Sequence, residues 1–157
     1  MSTEPGGLFV DGASAKDALQ FALPLLEAAV RNPKVGQSGV LYVVIMDPTR
    51  PPGVSSFEEA ILLEHHVGKE RSRWDADYGM YARAKAKLSW RTQRDSSAVQ
   101  ALSPHLLERG ELTVWGSVCV DGIVVAISGA EPMYDEALAG SIAFALRAIA
   151  KQRAAAR

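Results

Sequence analysis

The chain has 157 residues, which makes one domain the default and gives enough length for a hydrophobic core without covalent staples. Hydrophobic residues make up 48% and charged residues 22%, an ordinary globular balance, and the formal net charge of −1 leaves no basic excess to attract nucleic acid or an anionic membrane. The single cysteine, Cys119, excludes an internal disulfide, and no apolar run approaches the length that spans a bilayer. The opening residues MSTEPGGLFVDG lack a basic segment followed by a long apolar stretch, so a cytoplasmic location is expected.

In chain order, residues 1–12 are rich in Gly, Pro and Ser and are predicted to form a flexible N-terminal arm. A helix is predicted to open near Ser14 as N-cap, with Ala18, Phe21, Ala22, Leu25, Leu26 and Ala29 as its apolar stripe. Pro24 removes a backbone donor and is predicted to kink or split it. Val40–Met46 is a continuous apolar run of strand length, the pattern of a central strand covered on both faces. The Pro-rich stretch Pro48–Gly53 must be a loop, and the segment from Glu59 to Val67 is predicted to return from it as a paired strand. A long helix is predicted over Asp75–Thr92, with Ala76, Met80, Ala84 and Leu88 inward, followed by a weaker helical segment over Ala98–Glu108 broken at Pro104. Two strand-like runs, Leu112–Val120 and Ile123–Ser128, flank Asp121-Gly122, the strongest short-range hairpin signal because its turn needs positive φ at both residues. An Ala-rich helix follows over Tyr134–Lys151, and residues 152–157 are predicted to fray. The order helix, hairpin, helix, small helix, hairpin, helix predicts one α+β domain over residues 13–151, with a central antiparallel β-sheet flanked by helices.

The junction Ser128-Gly129-Ala130-Glu131-Pro132 is open to three readings. As a phosphate loop it is poor in glycine and carries a carboxylate. Asp135 and Glu136 are adjacent and diverge on a helix, so they make a weak acid/base pair with each other. A strand-to-helix turn, with both carboxylates favouring a helix N-terminus, is the plainest reading, and Asp135 lining a ligand pocket is the functional one. Glu64-His65-His66 holds the only histidine cluster. On a strand the two histidines face opposite sides and Glu64 shares a side with His66, which suits a carboxylate–imidazole pair better than a metal site.

The second half resembles a known family. Tyr81-Ala82-Arg83-Ala84-Lys85-Ala86-Lys87 resembles the A-x-x-K-A-x-T helix of GlcG/HbpS-like proteins, also met as the C-terminal domain of PduO-type proteins. The hairpin from Trp115 to Gly129 resembles that family's V-D-G-x-V-V core, and Asp135-Glu136-Ala137-Leu138-Ala139 resembles its D-E-x-x-A helix start. Ser117, Ala126 and Lys87 stand where the family usually has Gly, Gly and Thr. The resemblance implies a profilin-like fold, homo-oligomers, and haem binding or an undefined catabolic step. It places Lys85 as an anchor for a substrate carboxylate or a haem propionate, against the plain alternative of a solvated lysine. His65 or His66 is the expected axial haem ligand. The expected function is therefore a small-ligand-binding protein, with a small catabolic enzyme as the alternative. That enzyme would act on an organic acid or carbonyl compound by proton transfer, using Lys85 with Glu64, His66 or Asp135 as acid/base and the Pro-rich loop as a lid.

Overall fold

In a computed structural model of the chain, residues 6–157 are described. The first helix, α1 (Gly12–Val30), starts at a capping box set by Asp11 rather than by Ser14. The Ser14 backbone N–H donates to Asp11 Oδ1 at 2.8 Å, and the Asp11 N–H donates back to Ser14 Oγ at 2.8 Å. Ser14 is thus the third helical residue, and both side chains satisfy donors that the first turn leaves open. Pro24 does not split the helix, which runs unbroken through it. Ser14, Ala15, Ala18, Leu19, Ala22, Leu26 and Ala29 form the buried face, whereas Phe21 is 80% exposed. Ala18, Ala22, Leu26 and Ala29 of the predicted stripe are buried, whereas Phe21 and Leu25 face outward and Ala15 and Leu19 take their place in the core.

Four strands form one antiparallel sheet in the order β2 (Ile61–Gly68), β1 (Val40–Met46), β4 (Ile123–Ser128), β3 (Ser117–Val120). The helices α1 and α4 (Pro132–Ala155) cover one face, and α2 (Tyr78–Thr92) covers the other. The molecule is therefore the α+β fold with a flanked antiparallel sheet expected above. β1 shows why its sequence is apolar throughout: Leu41, Val43 and Ile45 pack toward α1 and α4, while Tyr42, Val44 and Met46 pack toward α2. The β3–β4 turn has φ of 50° at Asp121 and 82° at Gly122, as that dipeptide predicts.

Several boundaries differ from expectation: α2 opens at Tyr78 rather than Asp75, the short helix after it spans Ser96–Leu102 rather than Ala98–Glu108, and three further differences have a visible cause. β3 begins at Ser117, not Leu112, because Gly116 has φ of 144° and the Gly116 and Ser117 N–H groups both donate to Ser96 Oγ at 3.1 and 3.0 Å. The preceding residues stay as a loop beside α3 (Ser96–Leu102). The last helix continues through Ala155 rather than fraying from residue 152, and Arg153 pairs with Asp11 Oδ1 at 3.1 Å, tying it to the start of α1. At the other end, residues 1–5 of the predicted arm lie outside the described residues. Val10 is buried and Gly6 bridges to Asp11, so the later part of that arm is held. No helix of the described residues is long and apolar enough to cross a membrane.

Candidate functional site

The inward face of α2 determines the site. Its buried residues are Gly79, Ala82, Lys85, Ala86, Leu88, Ser89 and Trp90, so the predicted stripe through Met80 is displaced and Met80 is 48% exposed. Ala82, Ala86 and Ser89 lie three before, one after and four after Lys85. These small side chains let the helix approach β4 closely around the lysine, while Leu88 and Trp90 fill the face toward its C-terminal end. Lys85 is only 4% exposed, which overturns its reading as a solvated lysine. Its Nζ donates to Asp135 Oδ2 at 2.9 Å and to the Ile127 carbonyl at 3.0 Å.

Asp135 comes from the first turn of α4 and is 1% exposed. Its Oδ1 accepts the Ala130 backbone N–H at 2.9 Å. The chain delivers it there through Gly129, whose φ is 133° and where any Cβ would stand 1.9 Å from the Val40 carbonyl oxygen. The Ser128–Pro132 junction is the expected strand-to-helix turn, with Pro132 opening α4 and Asp135 in its first turn, and Asp135 also lines the cleft. The Ala130 donor is turned onto Asp135, the Glu131 N–H donates to the Val35 carbonyl, and the carboxylate faces a lysine instead of water. Burial pushes the Asp135 carboxyl up to about 6, although the Lys85 charge and hydrogen bonds from Lys85, Ala130 and Gly129 pull the other way. Desolvation wins because the pair is enclosed: two ions of nearly zero exposure give up more hydration than one contact restores.

The pair forms the floor of an open cleft of about 470 Å³, within the range of small-molecule sites. Tyr78 and Tyr81 line it from α2, Thr113, Val114 and Trp115 from the loop before β3, and Ser128, Gly129, Ala130 and Pro132 from the β4–α4 junction. Desolvation and a hydrogen bond to Asp75 raise the Tyr78 phenol above its ordinary range. Behind the floor, a buried serine network fixes the wall. Ser89 Oγ and Ser117 Oγ lie 2.7 Å apart, and Ser117 Oγ donates to the Lys85 carbonyl at 2.8 Å. These serines, with Tyr81, Trp115 and Gly116, were not singled out as site residues from the sequence. The spacing of Ala82, Ala86 and Ser89 around Lys85 was the available signal.

The other candidates lie elsewhere. Glu64 accepts two hydrogen bonds from Arg83, at 2.5 and 2.7 Å, and one from the Tyr42 hydroxyl at 3.0 Å. Arg83 is the first cause holding its carboxyl below the usual range. It is engaged as an ion-pair partner, and no hydrogen bond joins it to His66. His65 and His66 are exposed on the edge strand β2; the His66 ring meets Trp74 edge-on at 5.2 Å, and burial against its surroundings lowers the His65 imidazole. Neither lines the cleft. A haem held between a cleft and a histidine ligand therefore does not fit this donor set, since the histidines and the cleft are separate features. Among the described residues no group of three or more His, Cys, Asp or Glu is placed to hold a metal ion. The Pro-rich loop contributes no residue to the cleft; Trp90 Nε1 donates to the Arg50 carbonyl at 2.9 Å and pins that loop to the end of α2.

In comparison with known proteins, no family model and no curated protein matches the chain.

Proposed function

We propose that this chain is a small-ligand-binding protein of GlcG/HbpS-like kind whose ligand sits in the cleft over Lys85 and Asp135. One observation carries the reading: an ammonium and a carboxylate, both nearly fully buried and 2.9 Å apart, form the floor of an otherwise aromatic and apolar-walled cleft. A buried pair is an expensive way to join a helix to a sheet, because apolar side chains of similar volume do so as well or better. Placed at the base of a cleft, it supplies a directed donor and a directed acceptor for a polar organic molecule. The Lys85 and Asp135 motifs are also two of those through which the chain resembles that family, and here they converge. The test is protein-observed NMR titration with a panel of small carbonyl and carboxylate compounds. Shifts centred on Tyr81, Lys85, Gly129 and Ala130, weakened in Lys85→Met, support the reading. Shifts confined to other surfaces, or none across the panel, sink it.

A second reading is an enzyme that moves a proton next to a carbonyl group. The Asp135 carboxyl at about 6 favours it, since an acid/base group works best near the ambient pH. Deuterium incorporation beside the carbonyl of a bound ligand, abolished in Asp135→Asn, supports it; wild-type incorporation no faster than buffer removes it. Self-association is proposed alongside, on the exposed Phe21, Leu25 and Phe144 of α1 and α4. Sedimentation that stays monomeric across concentration removes that part.

A further inference from the structure

Lys85 has more capacity than its ion pair uses. Its ammonium carries three protons, and among the described residues two have acceptors, Asp135 Oδ2 and the Ile127 carbonyl. The side chain is buried, yet it lines the cleft. Gly116 lets the loop before β3 pack directly against the pair: a Cβ at that position would stand 3.0 Å from Lys85 Nζ and 2.7 Å from Asp135 Cβ, closer than a side chain tolerates. Lys85 is also the one cationic side chain lining the cleft among the described residues, and Asp135 already compensates it. The floor is therefore close to neutral and suits an uncharged carbonyl compound better than an anion. A primary amine lining a cleft with one of its three N–H groups given no acceptor among the described residues, beside a carboxyl able to take and return a proton, is the arrangement that imine formation needs.

We infer that Lys85 condenses with a small neutral aldehyde or ketone held in the cleft, with Asp135 as the proton carrier; this rests on the cleft being the ligand site. The ammonium first passes one proton to the Asp135 carboxylate. The free amine adds to the carbonyl carbon, forming a C–N bond as the carbon–oxygen π pair moves to oxygen. A proton moves from nitrogen to that oxygen and gives a neutral carbinolamine. Asp135 then returns its proton to the hydroxyl, which leaves as water while the nitrogen lone pair forms the C=N bond. The product is an iminium cation opposite a carboxylate, so the buried charge balance is the same at the end as at the start. No oxidant or reductant is consumed, and the open cleft lets the water leave.

The test uses the full chain with propanal and sodium cyanoborohydride, whose hydride traps an iminium as a stable propyl amine, followed by peptide mapping. Lys85 is expected to gain the propyl group at least about tenfold faster than the exposed Lys16, Lys34, Lys87 and Lys151, as a positioned acid/base group beside the amine requires. Label on those four lysines with Lys85 spared overturns the inference. Lys85→Arg keeps a cation opposite Asp135 but has no primary amine, and is expected to lose the fast label while propanal still perturbs cleft resonances. The wild-type rate comparison stands even if that variant does not fold. Propanal that shifts the cleft resonances of the wild type without labelling Lys85 removes the imine and leaves the ligand reading standing. Propanal that neither shifts nor labels removes the imine, and with it the carbonyl half of the ligand class.

Discussion

Replacing Lys85 by methionine is expected to cost stability in a manner that grows with pH. Asp135 has its carboxyl raised from 3.8 to about 6 in the fold, so the folded protein holds that proton more tightly than the unfolded chain does. The stability linked to it is fully present below about 3.8 and lost as pH rises through about 6. In the wild type the loss then stops, because Lys85 supports the carboxylate. Lys85→Met removes the charge and the hydrogen bond that oppose desolvation, and the Asp135 carboxyl moves further up. The variant therefore keeps losing stability above pH 6, by at most about 1.4 kcal/mol per pH unit, until its own raised carboxyl ionises. Between pH 6 and 8 the gap widens by up to about 2 kcal/mol, or up to about 4–8 °C in Tm for a chain of this size. Asp135→Asn has the opposite dependence. It lacks the wild-type fall between pH 4 and 6, so its stability relative to wild type rises by about 2 kcal/mol across that window. Urea unfolding of the three proteins at pH 4, 5, 6, 7 and 8 reads both slopes as differences, which cancels every group titrating alike in all of them. A Lys85→Met penalty independent of pH between 6 and 8 would refute the reasoning, because the carboxyl would then be solvated and the floor of the cleft not enclosed.

The remaining expectations concern residues around the pair. Gly129→Ala places a Cβ 1.9 Å from the Val40 carbonyl oxygen at a φ of 133°, and is expected to cost more than about 4 kcal/mol in chemical denaturation. A loss below about 1 kcal/mol would mean that the β4–α4 junction is looser than described. Glu64→Gln weakens a two-pronged pair whose arginine is half exposed, so its cost is expected to stay near or below about 1 kcal/mol with ligand titrations unchanged. His65→Ala and His66→Ala are expected to leave cleft binding unchanged. If added hemin gave a Soret band that either substitution abolished, the ligand site would move from the cleft to the edge strand.

The sheet was legible in the sequence because its signals are local. β1 is apolar at every position, and Asp121-Gly122 admits few backbone conformations, so both could be read from a few neighbouring residues. The helix faces were less legible. In α1, Phe21 and Leu25 carry the hydropathy signal but face outward, while Ala15, Ala18 and Ala22 take the buried positions because α1 packs closely on α4 and the sheet. In α2 the predicted inward Leu88 is buried, but the part of the inward face around Lys85 consists of Gly, Ala and Ser, and no hydropathy scale marks that part. Ser14 was read as the cap because the reciprocal partner three residues earlier, Asp11, fell inside a stretch that composition marks as loose. For the site, the sequence supplied Lys85 and Asp135 separately. Their meeting depends on the β4–α4 junction and on the register of α2 against β4, both of which are set by tertiary packing. Glu64, His65 and His66 looked equally chemical, but their surroundings commit the first to Arg83 and leave the histidines on an open strand edge.

The most direct test of the cleft as the ligand site is a crystal structure of the protein soaked with small carbonyl and hydroxy-carbonyl fragments. The expected result is a bound fragment within hydrogen-bond or covalent distance of Lys85 Nζ, walled by Tyr81 and Trp115. Fragments bound only elsewhere, for example between Phe21 and Ile149 on the outer helices, with an empty floor above Lys85 and Asp135, would contradict it.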